Sequence, residues 1–236
     1  MPVILSIETA TNVCSVALSG DGKLLSLRES TLKNAHSSVL TKFIEEVFQT
    51  AGLNPHEVDA IAVSEGPGSY TGLRIGIATA KGLCYALDKP LIAVSTLKAM
   101  ALGMLHLQFP TPNSQLPTHF CPMIDARRME VFTAVYNSNL GEVYEPSAEI
   151  ITESSFSELL KDHNIVFAGD GAGKCKTFFR NNKNAYFYDD FMVSAKYLIQ
   201  LAENKFRQND FDDPAYFEPK YLKEFVAGKS RVKGLY

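Results

Sequence analysis

The chain has 236 residues, 46% of them hydrophobic and 21% charged, with a formal net charge of −3. At this length folding removes roughly 70% of the unfolded chain's surface from water, so a core forms without disulfide or metal staples. The charge excludes the overall basic field behind non-specific nucleic-acid binding, so an RNA contact must be local or made by another subunit.

Val3–Glu8 is a short apolar run rich in β-branched residues and predicts a strand. Asn12–Leu18 alternates, with Val13, Ser15 and Ala17 against Cys14, Val16 and Leu18. Asp21-Gly22 is a hairpin signal, and Lys23–Glu29 follows as a third strand. Three antiparallel strands at the start favour a ribonuclease-H-like layer; a dinucleotide-binding fold places a helix after its first strand. His36–Thr50 is an amphipathic helix. Val39, Leu40, Phe43, Ile44, Val47 and Phe48 share one side, and Ser38, Thr41, Lys42, Glu45, Glu46 and Gln49 the other. Its apolar arc spans about half the circumference, wider than a core stripe requires, so the helix is expected to touch a partner as well as its own sheet.

Val58–Ser64 reads as a buried strand, Gly66–Gly72 as a glycine-rich turn, and Leu73–Leu87 as a long helix stopped by Asp88-Lys89-Pro90. Leu91–Val94 is a strand, and Ser95 caps a helix running to about Leu107. Residues 108–119 carry Pro110, Pro112 and Pro117 without periodicity and read as a linker. Beyond it come strands at Phe120–Asp125, Glu130–Tyr136 and Glu142–Ile151, a helix at Ser155–Lys161 and a strand at Ile165–Ala168. Helices near Ala172–Arg180 and Ser194–Arg207 follow. The expectation is an α/β fold of two lobes, 1–107 and a smaller 120–210, with an aromatic tail (211–236) draped on the surface. No internal repeat is legible.

The glycine turn before a helix is either a backbone anion site, favoured by converging N–H groups and the helix dipole, or a ligand-free tight connection. The helix after it is unusual. Gly72, Gly76 and Ala80 recur every fourth residue, and Ala78, Gly82 and Ala86 do so on the opposite side. Glycine in a helix costs up to ~1 kcal/mol relative to alanine, so close approaches on both sides are expected.

These residues carry a family resemblance. Ile4–Leu18, Ala35-His36-Ser37, Gly66–Gly76, Ala80–Leu83, Val94–Leu97 and Pro122–Val131 closely resemble the TsaB (YeaZ) family, as do Gly169–Ala172 and Pro219–Leu222 more loosely. That family is similar to the catalytic TsaD subunits, and both look like degenerate members of the ASKHA (actin, Hsp70, ribonuclease-H-like) superfamily. The resemblance implies a cytoplasmic scaffold subunit required to make threonylcarbamoyladenosine beside the tRNA anticodon. It implies binding to a TsaD-like catalytic subunit and a TsaE-like ATPase, a homodimer when alone, and tRNA contact mainly through the complex. Together with the wide apolar arc and the two-sided helix it nominates a partner-binding surface of His36, Val39, Leu40, Phe43, Val47, Leu73, Gly76, Ile77, Ala80 and Leu83.

The side chains of the superfamily's chemistry are expected to be missing. TsaD-like relatives hold a metal with two histidines four residues apart on a helix, and the matching positions are Thr96 and Met100. His36, His56, His106, His119 and His163 offer no such pair. In the phosphate hairpin Glu8-Thr9-Ala10, alanine replaces the glycine that lets backbone approach phosphate. No cofactor is therefore expected on the chain alone, with ATP or ADP left to an interface of the complex. Glu8, Thr9, Gly68, Ser69 and Arg74 are the candidate nucleotide or anion contacts. Gly169–Cys175 imitates a phosphate-binding loop, but Ala168 and Cys175 break its pattern, and neither His-Glu-x-x-His nor Gly-x-Ser-x-Gly occurs. The alternative is a stand-alone ASKHA ATPase or kinase, or a glycopeptidase-like hydrolase.

Four scattered cysteines point to reduced thiols. Residues 1–8 lack the basic start of a secretion signal, and no apolar run approaches the ~18 residues of a membrane span. Asp125, Arg127 and Arg128 read either as an ion pair inside a hairpin or as a contact to tRNA or a partner. Tyr216, Phe217, Tyr221 and Phe225 either pack back onto the body or form a docking strip.

Overall fold

The computed structural model describes residues 1–32, 36–107 and 116–223. Ala35, the linker prolines Pro110 and Pro112, and Phe225 lie outside the described residues.

Strands β1 (Val3–Glu8), β2 (Cys14–Gly20) and β3 (Lys23–Ser30) form an antiparallel meander. Its second turn is Asp21-Gly22, both at positive φ (51° and 71°), the conformation a tight hairpin needs. On the other side of β1 lies parallel β4 (Ala60–Gly66), and beyond it β5 (Leu91–Ser95), giving the order β3-β2-β1-β4-β5. The second sheet contains β6 (Thr118–Asp125), β7 (Glu130–Tyr136), β8 (Glu142–Ile150), β9 (Asn164–Ala168) and β10 (Ala185–Tyr188). Its order is β10-β9-β6-β7-β8, which read from the far edge repeats the first sheet strand for strand. In each, three antiparallel strands precede two parallel ones. This duplicated ribonuclease-H-like topology is the ASKHA architecture. The repeat exists in connectivity and not in residues, which is why no self-similarity is legible in the sequence.

Two helices cover one face of the first sheet: α1 (His36–Ala51) and α2 (Tyr70–Leu87). They bury Leu40, Val47, Phe48, Leu73 and Ile77 against Leu5, Ile7, Val16, Ile61 and Val63. On the opposite face lie α3 (Thr96–Leu105) and, much later in the chain, α6 (Ile199–Arg207), where Ala99, Leu198 and Ala202 meet Ile4, Ala60, Ile92 and Val94. Helix α3 also packs Leu97, Met100 and Met104 against Phe120, Ile124, Tyr136 and Val166 of the second sheet. It therefore sits between the two sheets.

The boundary expected at residue 210 needs correction, because the Ser194–Arg207 segment belongs to the first sheet's layer. It is also two elements, a 3₁₀ turn (Ala195–Leu198) followed by α6. The helices expected at Ser155–Lys161 and Ala172–Arg180 shorten to α4 (Leu159–Asp162) and α5 (Lys176–Phe179). Turns replace the first half of the former, with Phe156 at φ 57°.

The tail after α6 is tied down. Asp212 pairs with the β5 edge through its backbone N to Leu91 O (2.9 Å) and through its carboxylate, which accepts from Ala93 N (2.8 Å). Phe217 packs into the first core, and Lys220 N donates to Glu65 O (2.7 Å). The Lys81 ammonium donates to the carbonyls of Ala215 and Phe217. All four cysteines are buried and unbridged. Among the described residues no helix is long and apolar enough to cross a membrane.

Candidate functional site: a closed hairpin and an open helix face

Glu8 ends β1 with no solvent exposure. Its Oε1 accepts from Ala10 N (2.6 Å) and Ser64 Oγ (3.0 Å), while Oε2 has no partner. Burial pushes the carboxyl up to about 7, against the opposing pull of those hydrogen bonds. The next residues, Thr9 and Ala10, are equally buried, and the glycine turn and α2 close over them. Ser69 N donates to Ala10 O (2.6 Å), and Ser69 Oγ caps the helix at Gly72 N (3.2 Å). A Cβ built on Gly68 would collide with Ala10 O, one on Gly72 with Thr9 O, and one on Gly76 with Thr9 Oγ1. The first small-residue stripe is there so that α2 can lie on this backbone.

Of the residues expected to contact a nucleotide or anion (Glu8, Thr9, Gly68, Ser69 and Arg74), the first four lie at this closed hairpin. The Ser69 N–H is taken by Ala10 O, and Glu8 and Thr9 reach no solvent. Arg74 turns elsewhere: its guanidinium carbon lies 4.1 Å from the Tyr70 ring centroid, and its Nε donates to Tyr221 OH (3.2 Å). His36 Nε2 donates to Thr11 O (2.9 Å), binding the start of α1 to the same hairpin. Thr96 and Met100 are buried between the sheets, where the methionine Cε would crowd any Cβ at Gly169. No three His, Cys, Asp or Glu side chains gather as a metal cage among the described residues.

Most residues of the expected partner surface are buried within the chain. Leu40, Val47, Leu73, Ile77 and Ala80 are at most 4% exposed, and His36 and Gly76 are buried with them. Only Val39, Phe43 and Leu83 are half-buried. The wide apolar arc of α1 is used by its own core; its outer face, with Ser37, Thr41, Lys42, Glu45 and Gln49, is polar. What remains open is the other side of α2. Arg74, Ala78, Gly82, Tyr85 and Ala86 are exposed there, Tyr85 at 91%, and a Cβ on Gly82 would meet nothing within 4 Å. Sequence reasoning noted this stripe without choosing it. The distinguishing signal was present: Leu73, Ile77 and Cys84 accompany the inner stripe, while Arg74, Lys81 and Tyr85 accompany the outer one.

Asp125 pairs with Lys174, and not with the neighbouring arginines, and accepts from Arg127 N (2.9 Å). Of the tail aromatics, Phe217 packs inward, the Tyr221 ring lies tilted with its centroid 5.0 Å from that of Tyr70, and Tyr216 stays 85% exposed.

Over residues 30–230 the chain matches the family of TsaD, the tRNA N6-adenosine threonylcarbamoyltransferase. It is 38% identical to the tRNA threonylcarbamoyladenosine biosynthesis protein TsaB of Escherichia coli (strain K12), across 96% of both chains. The chain belongs to the TsaB family. It is 30% identical to the Haemophilus influenzae TsaB, across 96% of this chain and 95% of that one. A solved Pseudomonas aeruginosa protein with similarity to peptidase YeaZ superposes at a TM-score of 0.77 with 25% identity, over 94% of this chain and 100% of that one.

Proposed function

We propose that this protein is a partner subunit in tRNA threonylcarbamoyladenosine biosynthesis and performs no chemistry of its own. It acts in the cytoplasm by binding a TsaD-like catalytic subunit through the outer face of α2, and a TsaE-like ATPase joins the assembly. Alone, it pairs with a second copy through the same face. A nucleotide, ATP or ADP, belongs to an interface of the complex.

The observation that carries this reading is the two-sidedness of α2. One stripe of small residues is locked onto the chain's own hairpin, while the other leaves Ala78, Gly82 and Ala86 open beside a nearly fully exposed tyrosine. Small residues let a second helix approach closely, and an exposed tyrosine among them has the character of an interface anchor. The buried, internally hydrogen-bonded Glu8 hairpin supports the absence of independent nucleotide chemistry. Calorimetric titration with a TsaD-like subunit tests it. Tyr85→Ala should weaken binding by about 2 kcal/mol, near thirtyfold. Unchanged affinity, or steady ATP turnover by the pure chain, would overturn the reading.

A further inference from the structure

A cleft of about 520 Å³ opens beside α3 and α6, which cover the face of the first sheet opposite α1 and α2. Three segments distant in sequence enclose it: the β2–β3 turn, the C-terminal end of α3, and the 3₁₀ turn that leads into α6. Its volume lies within the ~300–1,000 Å³ of small-molecule sites.

The walls are apolar. Leu24 contributes from β3 with 47% of its surface exposed, Leu102 from α3, and Ile199 from α6. Tyr197 is a fixed aromatic wall. Phe191 stacks on it with centroids 5.5 Å apart and planes 11° from parallel. A Cβ on Gly103 would stand 2.8 Å from the tyrosine ring carbons, so this glycine is what lets the ring lie on α3.

The polar groups are few, and one of them is charged and uncommitted. The exposed Lys196 ammonium stands 5.1 Å from the Tyr197 ring centroid and has no ion pair among the described residues. His106, which ends α3, adds an imidazole. No carboxylate lines the cleft among the described residues. The acids beside the turn, Asp21 and Glu203, are both held by Arg207 (2.8 and 2.7 Å).

We propose that this cleft binds a small amphiphilic carboxylate, an aliphatic or aromatic monoacid. Its apolar body lies against Tyr197, Leu24 and Leu102, and its carboxylate pairs with Lys196. An apolar pocket with one convergent charge both holds and orients such a ligand. A polyphosphate is the poorer fit. It would bring several negative charges to one lysine and to the carbonyl end of α3, where the helix dipole opposes them. A bound acid ties the β2–β3 turn, α3 and α6 together, so it stabilises the fold by mass action.

The test is a saturation-transfer NMR titration of the full chain with sodium 2-naphthoate, using 2-naphthamide as the uncharged counterpart. Wild type should bind naphthoate saturably with a Kd on the order of 1 mM or below. Lys196→Gln should weaken this about tenfold, the loss of one charge-assisted bond, while binding 2-naphthamide as wild type does. Leu24→Glu puts a carboxylate in the wall and should abolish naphthoate binding. Both positions are exposed, so the free variants should melt with wild type, and saturating naphthoate should raise the melting temperature of wild type but not of Leu24→Glu. Equal naphthoate affinity in wild type and both variants would overturn the proposal, as would the absence of saturable binding. It also fails if equimolar ATP displaces naphthoate, which would mean a nucleotide site. Loss of association with a TsaD-like subunit in Lys196→Gln, with no binding of the free acid, would make the cleft a protein contact instead. Tyr85→Ala should leave naphthoate binding unchanged, so this site and the partner face of α2 fail separately.

Discussion

Gly72 and Gly82 lie on one helix, and alanine at each should move stability in opposite directions. A Cβ built on Gly72 would stand 2.1 Å from the backbone carbonyl oxygen of Thr9, which β1 and the Ser69–Ala10 bond hold in place. That obstacle cannot rotate away, so Gly72→Ala forces α2 off the hairpin. Overpacking of this kind costs ~1–3 kcal/mol. Gly82 meets nothing within 4 Å and is exposed, so Gly82→Ala gains helix propensity, ~0.5–1 kcal/mol. For a chain this long, 1 kcal/mol moves the melting temperature by about 2–4 °C. Differential scanning calorimetry should place Gly72→Ala some 2–12 °C below wild type and Gly82→Ala about 1–4 °C above it. If both variants are stabilised, the inner stripe is not packed on the Thr9 backbone and the assignment of the two faces collapses.

Glu8 gives a pH prediction. Its folded carboxyl titrates near 7, above the ordinary 4.5, so between those values the folded state holds a proton that the unfolded state has released. Its contribution to stability is therefore lost as pH rises from about 4.5 through 7, on the order of 3 kcal/mol in all. Glu8→Gln should gain on wild type in thermal melts from pH 5 to pH 8; a constant offset would show that Glu8 does not titrate there. His36→Ala removes a buried hydrogen bond to Thr11 O and should cost ~1–3 kcal/mol in urea titrations, leaving partner affinity intact. A variant equally stable but unable to bind would return His36 to the interface. Gly82→Arg should abolish association in sedimentation velocity without lowering the melting temperature, and intact association would argue against the α2 face.

Most of the sheet architecture was legible because its signals are local. The β-branched run at Val3–Glu8 marks a strand with those limits, and the strand expected at Glu130–Tyr136 also has its expected limits. The β10 strand was not legible: Ala185–Tyr188 is four half-buried residues after an Asn-Lys-Asn turn, too short for a period to emerge. The placement of Ser194–Arg207 on the first sheet depends on a long-range return of the chain, which no local pattern encodes. For the site, the sequence displayed two small-residue stripes of equal spacing. Which one is consumed internally is decided by the Thr9 and Ala10 carbonyls, more than sixty residues away from Gly76, and only their apolar or polar neighbours hinted at the answer. The same holds for α1, whose broad apolar arc suggested a partner but packs into its own core.

Tyrosine reactivity provides the sharpest test of the partner role. Tyr85 and Tyr216 are both exposed, at 91% and 85%, and only the first lies on α2. Hydroxyl-radical footprinting with and without a TsaD-like subunit should show Tyr85 becoming protected while Tyr216 keeps its rate. A complex that forms while Tyr85 stays as reactive as in the free chain would contradict the account.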